Sequence, residues 1–162
     1  FIGKRIIKKD LLDPTEKGVY VYSANVFQPI GSISNGNIKD FTYPSILWGI
    51  DGNFDMRYIP EGIHFATTDH CGTIQILNKD IVPEYLLYAL IERKIEESFD
   101  RSFRASLSNM KQFIVRIPVI EDGSFDVERQ KNIAERFVKL ELKKKKINEI
   151  RSQLNKVLDH YS

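Results

Sequence analysis

No proline or glycine interrupts the chain from Gly123 to its last residue, Ser162. A run of that kind, with apolar residues at helical spacing, constrains the fold more than anything else in the sequence. It predicts one helix over residues 126–160, with Asp126 as its N-cap and Glu128 an acid in the first turn, where it favours the positive helix end. About 35 residues rising ~1.5 Å each make a rod of roughly 50 Å. Ile133, Leu140, Ile147 and Leu154 recur every seventh position, with Phe137, Lys144, Arg151 and Leu158 half-way between them. This is a coiled-coil pattern, apolar at both ends and mixed in the middle. A rod longer than its own domain is wide should carry part of this rail, Ile133, Phe137, Leu140, Ile147, Leu154 and Leu158, past the domain to another helix. The alternative is an amphipathic helix folded back on its own domain. Lys143 to Lys146, four cations in a row, wind almost all the way round a helix and read as a solvated face.

The remainder is long enough for one domain. Of the 162 residues, 42% are hydrophobic, which is sufficient for a core. A net charge of +2 neither announces nor excludes a nucleic-acid partner, because acids and bases can occupy different faces. One cysteine, Cys71, permits no internal disulfide and makes a reducing, cytoplasmic setting the default expectation. No apolar run approaches the roughly 20 residues of a membrane span. The chain opens at Phe1 without a methionine and is read as a piece of something larger.

Short strands are expected at Val19-Tyr20-Val21-Tyr22, at Ser45-Ile46-Leu47-Trp48-Gly49-Ile50, and over residues 56–59, 63–67 and 73–77. Residues 31–37 read as a polar loop with two glycines. Asp51-Gly52-Asn53 invites a hairpin. Residues 1–9 are either a lead-in strand or the end of a helix. Pro83-Glu84 opens a helix with Leu87, Ile91 and Ile95 on one face. Ser106 could cap a short turn through Gln112, and residues 113–117 read as a last strand stopped by Pro118. The fold class is therefore mixed α/β: an irregular, curved β-sheet domain over residues 1–123 with flanking helices, followed by the long coiled-coil-type helix of residues 124–162.

Catalytic signatures are missing. None of the six prolines lies in an Asn/Asp-Pro-Pro-aromatic run, and no Gly-rich phosphate loop or Walker lysine is present. Three histidines and one cysteine are too scattered for a zinc site, so no metal is expected. Asp69-His70-Cys71 suggests a nucleophile beside a base, but strand neighbours point to opposite faces. Asp51 and Asp55 flank Gly52 and read as turn chemistry rather than metal ligands. The chain is expected to lack catalysis and a cofactor of its own.

The order of several stretches resembles a known family. Val19-Tyr20-Val21-Tyr22-Ser23-Ala24-Asn25 comes first, then Ile46-Leu47-Trp48-Gly49-Ile50-Asp51-Gly52-Asn53, then Tyr85-Leu86-Leu87-Tyr88-Ala89-Leu90. They are followed by residues 107–120 with Ile117-Pro118-Val119, and by Arg129-Gln130-Lys131-Asn132-Ile133 at the start of the long helix. Together these resemble the target recognition domain and spacer helix of a type I restriction-modification specificity subunit. Two positions depart from the family pattern: Val119-Ile120-Glu121-Asp122 replaces the second proline of its "IP-L-P" ending, and Arg129 stands where many relatives have Glu.

The resemblance implies a non-catalytic component that reads double-stranded DNA. It would direct an adenine methyltransferase subunit, which carries S-adenosylmethionine, and in the full complex a restriction subunit. Its long helix would pair with a second copy or a second half of the specificity subunit. Loops rich in Arg, Lys, Asn and hydroxyls carry the candidate DNA contacts: Ser23, Asn25, Asn35, Asn53, Arg57, His70, Arg101, Arg104, Ser106, Ser108, Asn109 and Lys111. Of these, residues 101–111 form the most basic loop. Two other readings fit the sequence: the C-terminal recognition domain of a fused restriction enzyme-methyltransferase, and a protein-interaction module with no DNA role.

Overall fold

The computed structural model describes residues 1–13, 15–96 and 104–160, with the side chains of 158–160 excepted. Among the described residues six strands form two three-stranded sheets: β1 (Val19–Tyr22), β2 (Gly31–Ile33), β3 (Ser45–Gly49), β4 (Met56–Ile59), β5 (Phe65–Thr67) and β6 (Cys71–Gln75). One sheet has the order β2-β1-β5, antiparallel then parallel, and the other has the all-antiparallel order β4-β3-β6. Helix α1 spans Pro83–Glu96, α2 is the short turn Leu107–Met110, and α3 runs over Val127–His160. This is the expected mixed α/β class, realised as two small open sheets and a long C-terminal helix.

The central strand β3 organises the core. All five of its residues are buried, as expected of a strand covered on both faces. Alternation along the strand sends Ile46 and Trp48 into one cluster, with Phe54, Met56, Ile76, Leu90 and Met110. Leu47 faces the opposite cluster, with Tyr22, Val26, Ile59, Phe65 and Cys71. Gly72 stands opposite Trp48 in register. A Cβ there would lie 2.1 Å from the indole, so the glycine makes room for the ring. The Trp48 Nε1–H donates to the Ala105 carbonyl at 2.8 Å.

Several expectations change. Residues 31–33 are a strand rather than loop, because Ile33, Ser32 and Gly31 pair with Val19, Tyr20 and Val21. Strand β6 begins two residues before the expected 73–77. Residues 113–117 form no strand. The outer edge of β6 is already occupied by the N-terminus: Thr73 N–H donates to Phe1 O at 2.8 Å and Gly3 N–H to Cys71 O at 3.1 Å. Residues 1–3 are thus the lead-in piece, and Lys8–Asp10 is a 3-10 turn. In α1, Tyr85, Ala89 and Leu90 are the buried residues, with Leu87 and Ile91 packed beside them. Ile95 in the last turn of α1 is 72% exposed and does not share the core face expected for it.

Helix α3 starts as the sequence requires. Asp126 Oδ1 accepts the Arg129 N–H at 2.8 Å. Its first turns dock on α1 through Ile133, Ala134 and the Tyr88–Phe137 ring pair at 4.9 Å. Gln130, fully buried, fixes this contact. Its Oε1 accepts the Val82 N–H at 2.9 Å and its Nε2 donates to the Asp80 carbonyl at 3.0 Å. Beyond Phe137 the described residues of the helix are exposed. Leu140, Ile147 and Leu154 are each more than half exposed, so most of the apolar rail leaves the domain. Lys143 to Lys146 are exposed as expected, and Lys144 pairs with Glu141 at 2.7 Å.

Candidate nucleic-acid interface

Strands β1, β3 and β5 deliver three polar loops to one end of the domain. The loop after β1 folds on itself as an Asx turn, in which Asn25 Oδ1 accepts the Phe27 N–H at 2.9 Å and the Gln28 N–H at 3.3 Å. It presses closely on β3: a Cβ on Gly49 would lie 2.3 Å from the Ala24 carbonyl oxygen. The β3–β4 hairpin turns through Gly52 (φ 84°) and Phe54 (φ 51°) and closes with Gly49 N–H on Asp55 O at 2.9 Å. The β5–β6 turn is tied to it by the Ile50 N–H on His70 O at 3.0 Å. Ser23 and Thr68 hydroxyls bridge the first and third loops at 2.9 Å. A shallow depression of about 380 Å³ lies between the first two of these loops, lined by Asn25, Phe27, Gln28, Asp51, Asn53 and Asp55 among others.

A fourth segment joins them. Trp48 holds Ala105, which brings the neighbouring Arg104 over the hairpin. The Arg104 Nε donates to Asp51 Oδ1 at 2.8 Å and its Nη2 to Asp51 Oδ2 at 3.3 Å. His70 Nδ1 also bonds Asp51 Oδ2. Because the carboxylate can only accept, Nδ1 carries the proton, and Nε2 lies 3.9 Å from Asp69 Oδ1. The His70 bond first, and Arg104 second, hold the Asp51 carboxyl below the usual carboxylate range. An exposed ion pair of this sort stabilises a fold by only about 0–1 kcal/mol, so the trio's effect is to orient its side chains.

The candidate DNA contacts divide accordingly. Ser23, Asn25, Asn53, Arg57, His70 and Arg104 meet at this end. Arg57 is spent on the scaffold, however: its Nη1 donates to the carbonyls of Val26 at 3.4 Å and Phe27 at 3.2 Å, and its guanidinium lies 5.0 Å over the Tyr22 ring. Ser106 caps α2 by accepting the Asn109 N–H at 3.3 Å, and Asn109 Nδ2 donates to Arg104 O at 2.7 Å. These two shape the Arg104 segment. Ser108 and Lys111 are exposed, and Lys111 lies within electrostatic reach of the Phe1 ammonium. Asn35 follows the end of β2 in register with Val19, the start of β1, whereas Ser23 and Asn25 follow the other end of that strand. Arg101 lies outside the described residues, as does the Leu158 side chain. The acid-free appearance of the loop at 101–111 does not survive folding, since Asp51 neutralises Arg104 from another element. Asp51 was passed over as turn chemistry. Its partners stand 19 and 53 residues away, beyond any local signal.

Cys71 and His70 do not form a catalytic pair. Cys71 is fully buried, with its thiol pushed up to about 12 by desolvation, while His70 faces solvent beside Asp51. Among the described residues no group of three or more His, Cys, Asp or Glu could hold a metal.

Polar loops thus gather at one end of a mixed α/β domain from which a long helix projects. The model of the type I restriction modification DNA specificity domain family matches residues 1–155, and the chain belongs to that family. Its fold is similar to a solved S subunit of a type-I restriction-modification system from M. genitalium, with a TM-score of 0.58 and 19% identity. The match covers 90% of this chain and 37% of that one, so the chain spans little more than a third of the solved subunit. Comparison with curated proteins gives no match.

Proposed function

We propose that this chain is the sequence-reading half of a type I specificity subunit. Residues 1–123 form the recognition domain and 124–162 the spacer helix. The loops at the 23–28, 51–55 and 68–70 end, with Arg104, lie against one DNA half-site. The exposed rail of α3 pairs with a second specificity half and seats the methyltransferase, which brings S-adenosylmethionine and performs the chemistry in the cytoplasm. No described helix is long and apolar enough to cross a membrane. The observation that carries this reading is the convergence of three polar loops and Arg104 at one end of a DNA-specificity-family domain.

The test is methylation mapping. The associated methyltransferase is assayed on genomic DNA with and without this chain, and modified adenines are located by sequencing. One recurring sequence, modified only when the chain is present, is the expected result. Modification that is unchanged without the chain, or that shares no sequence, sinks the reading.

A further inference from the structure

We infer that Asp51 and Arg104 form a buttressed pair that reads a guanine in the major groove. The inference rests on the DNA-reading function proposed above and goes further, to one residue and one base. Asp51 takes Arg104 side-on, through Nε at 2.8 Å and one hydrogen of Nη2 at 3.3 Å. That leaves Nη1 and the remaining Nη2 hydrogen, the end-on edge of the guanidinium, pointing away from the carboxylate. The end-on edge is a fork of two parallel donors, and guanine presents the matching pair of acceptors, O6 and N7.

Three further contacts fix the fork. The Arg104 carbonyl accepts from Asn109 Nδ2 at 2.7 Å. The Ala105 carbonyl is held by Trp48 at 2.8 Å in the core. Asp51 itself is braced by His70, whose Nδ1 shares Oδ2 with Arg104 Nη2. A side chain held at both backbone and head loses little freedom on binding, which is what discrimination between bases demands. A phosphate contact needs neither the fixed orientation nor the neutralising acid, and Asp51 would repel the phosphate. Arg57 has no free end-on fork, because its Nη1 donates to the carbonyls of Val26 and Phe27.

The experiment is selection from randomised duplex DNA by the purified chain, alone and as Arg104→Ala, Arg104→Lys and Asp51→Asn. Arg104 is 61% exposed in its side chain, and unchanged melting temperatures verify that the variants fold. The expected consensus has a guanine that Arg104→Ala releases, with discrimination there falling about 10- to 100-fold and the other positions kept. Arg104→Lys does not restore it, because an ammonium has no fork. Asp51→Asn releases it in part. A guanine preference untouched by Arg104→Ala overturns the inference. So does a uniform loss of affinity with a salt slope reduced by about one, the mark of a phosphate contact. In both cases the DNA-reading function stands. If the unaltered chain selects no sequence at all, that function fails and the guanine assignment with it.

Discussion

Trp48 and Ala105 are joined by a hydrogen bond across 57 residues of sequence, indole Nε1–H to carbonyl oxygen at 2.8 Å, inside the core. This bond connects the centre of the second sheet to the segment that presents Arg104. Trp48→Phe removes the donor, strands a buried carbonyl and leaves a void beside Gly72. A loss of about 2–4 kcal/mol is expected, read from the midpoint of chemical denaturation. Conserved stability would mean that the Ala105 carbonyl finds another donor.

Gln130 is the second tie of this kind, between α3 and the loop ahead of α1. Gln130→Leu keeps the volume but leaves the Val82 N–H and the Asp80 carbonyl without a partner. The expected cost is about 2–4 kcal/mol, together with faster hydrogen exchange at the Val82 amide. An unchanged exchange rate there would show that the helix is held by apolar contact alone.

Cys71 is sealed in the core, and burial raises its thiol from 9.0 to about 12. At pH 8 a disulfide reagent should label it only at the rate of global unfolding. The sign of the pH effect follows. Keeping the thiol neutral stabilises the fold fully below the unfolded value of 9.0, and that stability is lost as pH climbs toward about 12. Labelling of native protein within seconds would contradict the burial.

Leu140 and Ile147 are 56% and 57% exposed on the projecting part of α3. The double change Leu140→Lys, Ile147→Lys should leave the unfolding of the single chain within about 0.5 kcal/mol. If this rail holds a second copy, the mass measured by light scattering should fall from dimer to monomer. A mass that the double change does not move assigns the rail to a different chain or to none.

The features read correctly from sequence are those whose cause is local. Asp126 caps α3 because its own side chain reaches a donor three residues on. Pro83 starts α1, and Asp51-Gly52-Asn53 turns because Gly52 tolerates a positive φ. The densely apolar Ser45–Gly49 was legible as a strand, though not as the divider of the core. What escaped was set by distant partners. Gly31–Ile33 is a strand only because β1 lies beside it. Residues 113–117 look like a strand but pair with none, their apolar side chains packing instead on the Trp48 cluster and on α1. The loop carrying Arg104 looked purely basic because its acid, Asp51, belongs to a hairpin 53 residues earlier. Asn25, Asn53 and His70 could be nominated singly for polarity, but their meeting at one end depends on strand directions the sequence does not print.

The clamped root and free shaft of α3 make it a lever whose setting is written in residue count. Gln130, Ala134 and Phe137 fix the azimuth at one end. No proline or glycine softens the shaft. Each residue inserted beyond Val138 would carry whatever grips the far end about 1.5 Å outward and swing it about 100°. An insertion of one or two residues therefore changes direction more than distance. A gain of about seven residues restores nearly the same heading roughly 10 Å farther out. The reach of this helix can change without touching the loops at residues 23–28, 51–55 and 68–70, but only in steps that the helical repeat allows.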